Sequence, residues 1–280
     1  MTKKSYMPIW QRLIVAAFLL LTVALFIIPM WWTLVWGSWR TAEIFSFPPK
    51  FLPGPYLTAN FAEAQRRIAI WGAFQNSILI TGVRLAGAVF LCSLAGFAFA
   101  KYNFRFKNVL FYLLLSTMAI PSQITVIPLF IMMIRMGWID SYQGVIIPGL
   151  VPAFGVFLMR MSTQEAIPDE LIEAARIDGA NELRIFLQIA LPNLLPSVAA
   201  LSIFLFSGTW GALFWPLIVL RTTAKFTLPV ALATIMGGGS GGVPYDAMLA
   251  GSMLAVIPPL LLLIFAQRYF IKSVVASSFR

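Results

Sequence analysis

Side chains able to do chemistry are few in this chain, and most of the acidic ones lie together. The chain has 280 residues, with ten Asp and Glu, no His and one Cys. Six of the ten acids fall in one short stretch: Glu165, Asp169, Glu170, Glu173, Asp178 and Glu182. Without His, and with Cys92 alone, disulfide frameworks are excluded, and zinc sites and Cys/His or Ser/His/Asp catalysis are disfavoured. We therefore predict no catalytic residue and no metal ligand, and expect the acids to serve another purpose.

Composition places the chain in a membrane. Hydrophobic residues make up 60% and charged residues 11% of the sequence, against about 25% charged in soluble domains. Several uncharged runs reach the roughly 20 residues that a helix needs to cross a bilayer. Unpaired backbone is too costly in hydrocarbon, so we predict an all-α integral membrane protein. The net charge of +10 sits mostly in loops, where membrane lipid and topology explain it, and no nucleic acid partner is expected.

We predict one transmembrane domain over residues 1–280, with six spanning helices and both termini in the cytoplasm. The spans are expected at about 13–36, 76–100, 109–134, 144–159, 194–220 and 247–266. The first is too long for the core of a cleaved signal peptide, so it should be retained. This orientation puts more Lys and Arg inside than outside, including the basic loop KYNFRFK at 101–107, as the positive-inside rule requires. The acid-rich segment 162–193 then becomes the largest cytoplasmic loop, between spans four and five.

Two short helices are expected in this loop. Pro168 followed by Asp169 suits a helix start, where an acid can cap free amides and complement the helix dipole. Small side chains at Ala174 and Ala175 would let another surface come close, and Gly179 would end the helix.

The second helix should run from about Asn181 to Pro192. Its apolar residues recur at helical spacing and predict one stripe: Leu183, Phe186, Leu187 and Ala190. An apolar face surrounded by charge is expected to fit a partner's groove. The alternative is a helix lying on the membrane surface, but such helices usually carry Lys and Arg, and this one is acidic.

The motif of this loop resembles a known family. EAA at 173–175, Gly179 and IALP at 189–192 form a pattern similar to the signature loop of permease subunits of binding-protein-dependent ABC importers. The fuller string resembles the carbohydrate-uptake branch, with maltose-type and glycerol-phosphate-type permeases. The likeness covers nearly the whole chain, through SLAGFAFAKYNFR (93–105), IPSQITVIPLF (120–130), NS (76–77) and WPLIVL (215–220).

The resemblance implies the partners and the division of labour. Two permeases pair in the bacterial or archaeal cytoplasmic membrane, a dimeric cytoplasmic ATPase receives each loop, and an extracytoplasmic solute-binding protein delivers the sugar. ATP and Mg²⁺ then belong to the ATPase, and this chain carries no cofactor. The only Gly-rich run, GGGSGG at 237–242, lacks the Lys-Ser/Thr of a P-loop and is expected to be a flexible outer loop. The residues that carry over as ATPase-coupling are Glu173, Ala174, Ala175, Asp178, Gly179, Leu191 and Pro192.

Candidate residues of the substrate pathway are Arg84, Asn76, Trp210 and Trp215. Arg84 lies inside the second span, where an unpaired Arg costs about 2.5–3.5 kcal/mol, so it should face a partner or a wet cavity. Arg84, and the absence of an acid from WGALFWP at 210–216, depart from the family pattern and favour an anionic cargo such as a uronate oligosaccharide or a sugar phosphate. The other interpretation is that Arg84 bonds backbone carbonyls or a carboxylate of the partner permease.

Other classes of protein fit the sequence less well. A stand-alone secondary transporter or channel would normally show an internal repeat or membrane-buried acids, and neither is present. An intramembrane enzyme needs paired acids, His or a Ser–Lys arrangement within the spans. An importer of the same architecture for amino acids, peptides or phosphate remains an alternative.

Overall fold

The computed structural model describes residues 8–237 and 242–277. The Gly-rich run predicted as a flexible outer loop lies mostly outside these residues. Within them the chain forms helices and turns and no β-strand, so the all-α prediction is confirmed.

Three helices are long and apolar enough to cross a membrane: α1 (Ile9–Gly37), α4 (Ile70–Lys101) and α15 (Tyr245–Ser277), the last over its part Tyr245–Ile264. They contain the first, second and sixth predicted spans. A helix pairs its backbone polar groups within its own segment, which allows it to cross hydrocarbon.

Two further candidate spans are bent helix pairs. Helix α5 (Lys107–Ser116) continues through the 3₁₀ turn Thr117–Ala119 and meets α6 (Ser122–Arg135) at 104°. The break falls at Pro121, which supplies no amide hydrogen and disfavours helix before it. The segment Glu182–Asn193 meets α12 (Leu195–Trp210) at 79°. With each pair taken as one span, these residues hold up to five candidate spans.

The fourth predicted span, 144–159, is not a continuous helix. It is divided between α7 (Tyr142–Ile146) and α8 (Ala153–Ala166), because Pro148, Gly149 and Pro152 interrupt the helical hydrogen bonds. The fifth predicted span, 194–220, is also divided. Its first helix ends at Trp210, and a separate helix, α13 (Phe214–Val219), follows.

One compact unit comprises residues up to 70 together with 232–256. It includes α1, α2 (Thr41–Ile44), α3 (Leu57–Ile68) and the first part of α15. A Cβ atom on Gly37 would lie 2.8 Å from the Ala250 amide nitrogen, so glycine lets the two backbones touch. The Asn60 side-chain amide donates to the carbonyls of Gly37 and Trp39 at 2.9 and 3.0 Å and fixes the end of α1.

The second compact unit comprises residues 71–231 and those from 257 onward. It contains a buried core built from α4, α8, α12 and the acid-rich segment, with Phe97, Met159 and Phe186 among its largest members. A Cβ on Gly96 would lie 2.6 Å from Met159 Cβ, so α4 and α8 are in backbone contact there. Helix α14 (Leu228–Met236) starts in this unit, where the Leu228 amide donates to Ser77 Oγ at 2.7 Å.

Candidate functional site

The acid-rich segment folds as two helical pieces around a glycine. Helix α9 (Asp169–Ile177) begins directly after Pro168, as predicted. Gly179 has φ +80°, its amide donates to the Arg176 carbonyl, and the Ala180 amide donates to the Ala175 carbonyl, both at 3.0 Å. This pair of bonds is a Schellman motif, which needs the left-handed conformation that glycine adopts without strain. The predicted helix stop at Gly179 is confirmed.

The second helical piece starts where the sequence predicts and ends later. The Asn181 side-chain oxygen accepts from the Arg184 amide at 2.8 Å and caps α10 (Glu182–Ile185). A π-helical turn, Phe186–Ala190, and α11 (Leu191–Asn193) follow. The helix ends at Asn193, one residue beyond the predicted end at Pro192. Pro192 lies in the first turn of α11, where a residue without an amide hydrogen is tolerated.

The predicted apolar stripe does not form a single face. Phe186 and Ala190 are buried in the core, whereas Leu183 and Leu187 are 58% and 43% exposed. Leu183 precedes the π turn, so the stripe is already divided between surface and core at the start of this helix. Part of the predicted docking stripe is thus internal packing, and part remains on the surface.

The two alanines of the EAA motif point in different directions. Ala175 is buried in the core of its own unit, so its small size is needed for packing within this chain. Ala174 is exposed, as are Glu173 and Asp178. Ile177, at the end of α9, is 86% exposed, an unusual position for a large apolar side chain. The outward surface of α9 is therefore small at Ala174, acidic on either side and apolar at its end.

Lys101, the last residue of α4, and Tyr102, which follows it, bond to both helical pieces of the segment. Lys101 Nζ lies 2.6 Å from Asp169 Oδ1 and also donates to the Ile167 carbonyl. Asp169 was expected to cap α9, but no side chain caps that helix and the carboxylate pairs with Lys101 instead. The Tyr102 hydroxyl donates to Glu182, the first residue of α10.

Arg176 completes this cluster at the surface. Its Nε donates to Glu182 Oε1 at 2.8 Å, and its guanidinium lies 5.9 Å from the Tyr102 ring centre. The hydrogen bonds from Arg176 and Tyr102 lower the pKa of Glu182, and the bond from Lys101 lowers the pKa of Asp169. Burial, together with the bond to Glu182, raises the pKa of Tyr102 to about 12. Both carboxylates are therefore charged, and the tyrosine protonated, near neutral pH.

Arg84 lies beside a cavity of about 340 Å³ in the second unit. Its Nη2 donates to the Gly149 carbonyl at 3.2 Å, and Gly149 itself has φ +70°. The cavity wall also includes Phe204, Ser207 and Thr209. Arg84 thus makes a backbone carbonyl bond of the kind foreseen for the structural interpretation, and it also borders space that water or a solute could occupy.

The other three pathway candidates do not line that cavity. The Asn76 amide donates to the carbonyls of Ala224 and Phe226 at 2.8 and 3.0 Å, and its oxygen accepts from the Tyr142 hydroxyl at 2.8 Å. Asn76 therefore links α4 to the segment before α14 and to α7, a structural role within this chain.

The two tryptophans take separate positions. Trp210 is buried and stacks on Phe206 with ring centres 5.7 Å apart. Trp215 Nε1 donates to the Gly144 carbonyl at 3.0 Å and borders a second cavity of about 470 Å³, together with Gln123. The structure does not gather the four candidates into one site.

Sequence reasoning missed a second charged cluster, around Asp140. Its carboxylate accepts from the amides of Arg221 and Thr222, both at 2.9 Å, and from Lys225 Nζ at 3.1 Å. These bonds, led by those from Thr222, lower the pKa of Asp140. Its partners lie about eighty residues along the chain, and no local pattern signals such a contact.

Comparisons with known proteins agree over most of the chain. The family model described as "Binding-protein-dependent transport system inner membrane component" matches residues 88–275. The chain is 41% identical over 201 residues to the arabinooligosaccharides transport system permease protein AraQ of Halalkalibacterium halodurans, covering 72% of this chain and 71% of that protein. It is 28% identical over 271 residues to the sn-glycerol-3-phosphate transport system permease protein UgpE of Agrobacterium fabrum, covering 94% and 96%.

Solved structures give the same fold. A chain in the crystal structure of a bacterial ABC transporter involved in the import of the acidic polysaccharide alginate superposes with a TM-score of 0.80 at 23% identity, covering 95% of this chain and all of that one. A second crystal structure, of an alginate ABC transporter in complex with alginate pentasaccharide-bound periplasmic protein, gives a TM-score of 0.60 at 16% identity. At these identities the likeness concerns the fold.

Proposed function

Since this chain belongs to the family of binding-protein-dependent transport system inner membrane components, we propose that it is the permease subunit of an ATP-driven importer of saccharides. Its relatives include permeases for arabinooligosaccharides and for sn-glycerol-3-phosphate. The chain contributes half of the translocation pathway and is not itself an enzyme. The observation that carries the proposal is the acid-rich segment, which is folded, anchored to α4 and exposed along one face of α9.

The exposed face of α9 is the proposed contact with the ATPase. Ala174 lets a partner's surface approach closely, Ile177 offers an apolar side chain to a pocket, and Glu173 and Asp178 supply charge at its edge. A helix that presents an apolar residue and small residues between charges fits a groove in a partner protein. Gly179 sets the angle at which this face is held.

The other coupling residues identified by the family motif do not lie on the exposed face of α9. Ala175 packs inside the chain, and Leu191 and Pro192 join the segment to α12. The bonds of Lys101 to Asp169 and of Tyr102 to Glu182 transmit a displacement of the segment to α4. ATP binding and hydrolysis occur on the dimeric ATPase, and Mg²⁺ belongs to that chain.

We further infer six membrane spans with both termini in the cytoplasm. The three long helices, the bent pair of α5 and α6, and α12 account for five, and the broken pair α7 and α8 supplies the sixth. In this arrangement the acid-rich segment lies in the cytoplasm, and the Asp140 cluster lies on the opposite, extracytoplasmic side of the membrane. A second permease pairs with this chain, and a solute-binding protein delivers the cargo on the outer side.

A neutral oligosaccharide is the cargo we favour. Arg84, which raised the possibility of an anionic solute, donates to the Gly149 carbonyl, so its charge is partly engaged by the chain itself. The arabinooligosaccharide permease shares the higher identity of the two relatives compared above. Saccharide hydroxyls would bond to polar groups such as Ser207 and Thr209 of the Arg84 cavity.

The test is transport by the reconstituted importer. The chain would be produced with its partner permease, ATPase and binding protein, placed in proteoliposomes, and supplied with arabinooligosaccharides, maltooligosaccharides, uronate oligosaccharides, glycerol 3-phosphate and amino acids. We expect ATP-dependent uptake of a neutral oligosaccharide. Uptake of amino acids alone, or uptake that needs no ATPase, would refute the proposal.

A further inference from the structure

A third cavity, of about 380 Å³, lies at the turn between α4 and α5. Its wall carries the side chains of Asn103, Lys107, Asn108 and Arg160, with Phe106 at the edge. The coupling role uses none of these residues. The cavity is therefore polar and basic, although it stands at the end of two helices that belong to membrane spans.

The charges of this cavity are not balanced by the chain. Arg160 Nε is buried and has no hydrogen-bond partner, while the guanidinium lies 3.8 Å from the Phe111 ring centre. Lys107 and Arg160 both line this cavity. Among residues 8–237 and 242–277, neither forms an ion pair with a carboxylate. The carboxylate of Asp169 pairs with Lys101 at 2.6 Å instead.

The backbone adds donors to the same place. Helix α5 has ten residues and starts after Phe106, which has φ +64°, and no side chain caps it. Its first residues, Lys107, Asn108 and Val109, form part of the cavity wall. The first amides of a helix lack intrahelical acceptors and favour an anion. Two cations and these amides thus surround one space, which selects a negatively charged group such as a phosphate.

Beyond the cavity, α5 continues as an apolar surface. Val109, Leu110 and Leu113 are about half exposed, and Phe106 is exposed at the helix start. In a membrane this surface faces hydrocarbon. A ligand that fits both parts has an anionic head and long apolar tails. A free phosphate would satisfy only the head, and an acidic protein segment would leave the apolar part without a partner.

We propose that this cavity binds the phosphate of an anionic glycerophospholipid, with its acyl chains along the exposed side of α5. Lys107 and Arg160 hold the phosphate oxygens, and Asn103 and Asn108 donate to the head group. Basic pockets at helix ends are a recognised mode of binding anionic lipid. In the orientation proposed above the lipid comes from the cytoplasmic leaflet. The site requires the membrane location of the chain and does not depend on the identity of the cargo.

The experiment measures lipid binding by the purified importer complex. Native mass spectrometry of the delipidated complex would be performed with dioleoyl phosphatidylglycerol, with dioleoyl phosphatidylcholine and with inorganic phosphate. We expect phosphatidylglycerol to bind preferentially. Lys107→Gln should weaken this binding about fivefold, from roughly 1 kcal/mol for each basic residue near a lipid surface. Arg184→Gln removes an equal charge, on a side chain that bonds Gln188, and should leave the binding unchanged.

Arg160 is packed on Phe111 and is therefore left unchanged. The second variant combines Lys107→Gln with Asn108→Ala. Equal binding of both lipids, or no effect of either Lys107 variant, would overturn the proposal. If inorganic phosphate binds as well as phosphatidylglycerol does, the cavity is a site for free anions and the lipid is rejected. Loss of ATPase from the complex with unchanged lipid binding would assign the cavity to a protein partner. Saccharide uptake is measured separately, so a failure here leaves the transport proposal intact.

Discussion

Lys101 Nζ lies 2.6 Å from Asp169 Oδ1, so the last residue of α4 is bonded to the first residue of α9. The Lys101 side chain is only 6% exposed and also donates to the Ile167 carbonyl. Lys101 is thus held by two acceptors just before α9, and a displacement of α9 must pull on α4.

Replacing Lys101 with Met should lower ATP-driven uptake about fivefold, the effect of losing roughly one net hydrogen bond. Met fills similar volume but makes neither bond, so the ATPase would still bind while its movement reaches α4 less directly. Uptake and ATPase activity would be measured on the same proteoliposomes, and the ratio of sugar moved to ATP hydrolysed should fall. Arg184→Met is the matched control, and an unchanged ratio for Lys101→Met would contradict the transmission role.

Substituting Trp at the two adjacent alanines should have different effects. Ala175→Trp should unfold or destabilise the chain, because overpacking a filled core costs about 1–3 kcal/mol. Ala174→Trp should leave the thermal stability of the detergent-solubilised protein unchanged, because the position is exposed, and should instead reduce the ATPase recovered on co-purification. A normal yield of ATPase with Ala174→Trp would show that this face of α9 is not the contact.

Gly179 offers a test of backbone conformation alone. No atom lies within 4 Å of a Cβ placed there, yet φ is +80°. Gly179→Val should therefore lower coupled uptake through strain of about 1–2 kcal/mol, whereas Gly179→Asn, which tolerates this conformation, should retain most of it. Gly82→Ala is the control, since its site is also open but φ is not positive. Equal activity of the Val and Asn variants would mean that the turn is not required.

The sequence was informative where structure depends on near neighbours. Pro168, Gly179 and Asn181 mark the turns of the acid-rich segment correctly, because capping and left-handed conformations are local properties. The pairing of Lys101 with Asp169 joins residues 68 positions apart. No periodicity reports such a distance, so the anchoring of the segment could not be predicted.

The errors came from assuming that apolar spacing defines one buried face. A 3.6-residue period places Leu183, Phe186 and Leu187 on one side, but only Phe186 of the three is buried. The sequence also does not determine whether Ala175 packs against a partner or against its own chain. A small residue suits close packing on either side of a helix, and only the tertiary structure reveals that the neighbour is this chain's own core.

The contact between Arg84 and Gly149 predicts a structural effect of removing the guanidinium. Arg84→Gln should lower uptake of neutral and acidic saccharides by the same factor, because the shorter side chain no longer holds the turn at Gly149 beside the cavity. Uptake of both cargo classes would be measured together with the thermal stability of the complex. Loss confined to acidic saccharides, at unchanged stability, would instead assign Arg84 to the cargo.

The proposed topology predicts which loops are accessible from outside. In a Cys92→Ala background, single cysteines would replace Ala224, in the proposed outer region, and Gln164, in the proposed cytoplasmic one. Both residues are exposed. An impermeant thiol reagent should label only the first in intact cells, and both after permeabilisation. Labelling of the Gln164→Cys variant in intact cells would require a different number of spans.

The π turn at Phe186–Ala190 also affects how this segment tolerates changes of length. A π turn corresponds to one residue more than an α-helix needs, and one residue of an α-helix corresponds to about 100° of rotation. A single-residue deletion here would not merely shorten a loop. Rewinding as α-helix would rotate α11 and everything that follows relative to α10, and would turn buried Ala190 toward the surface. Insertions and deletions should therefore be excluded from this turn in related genes.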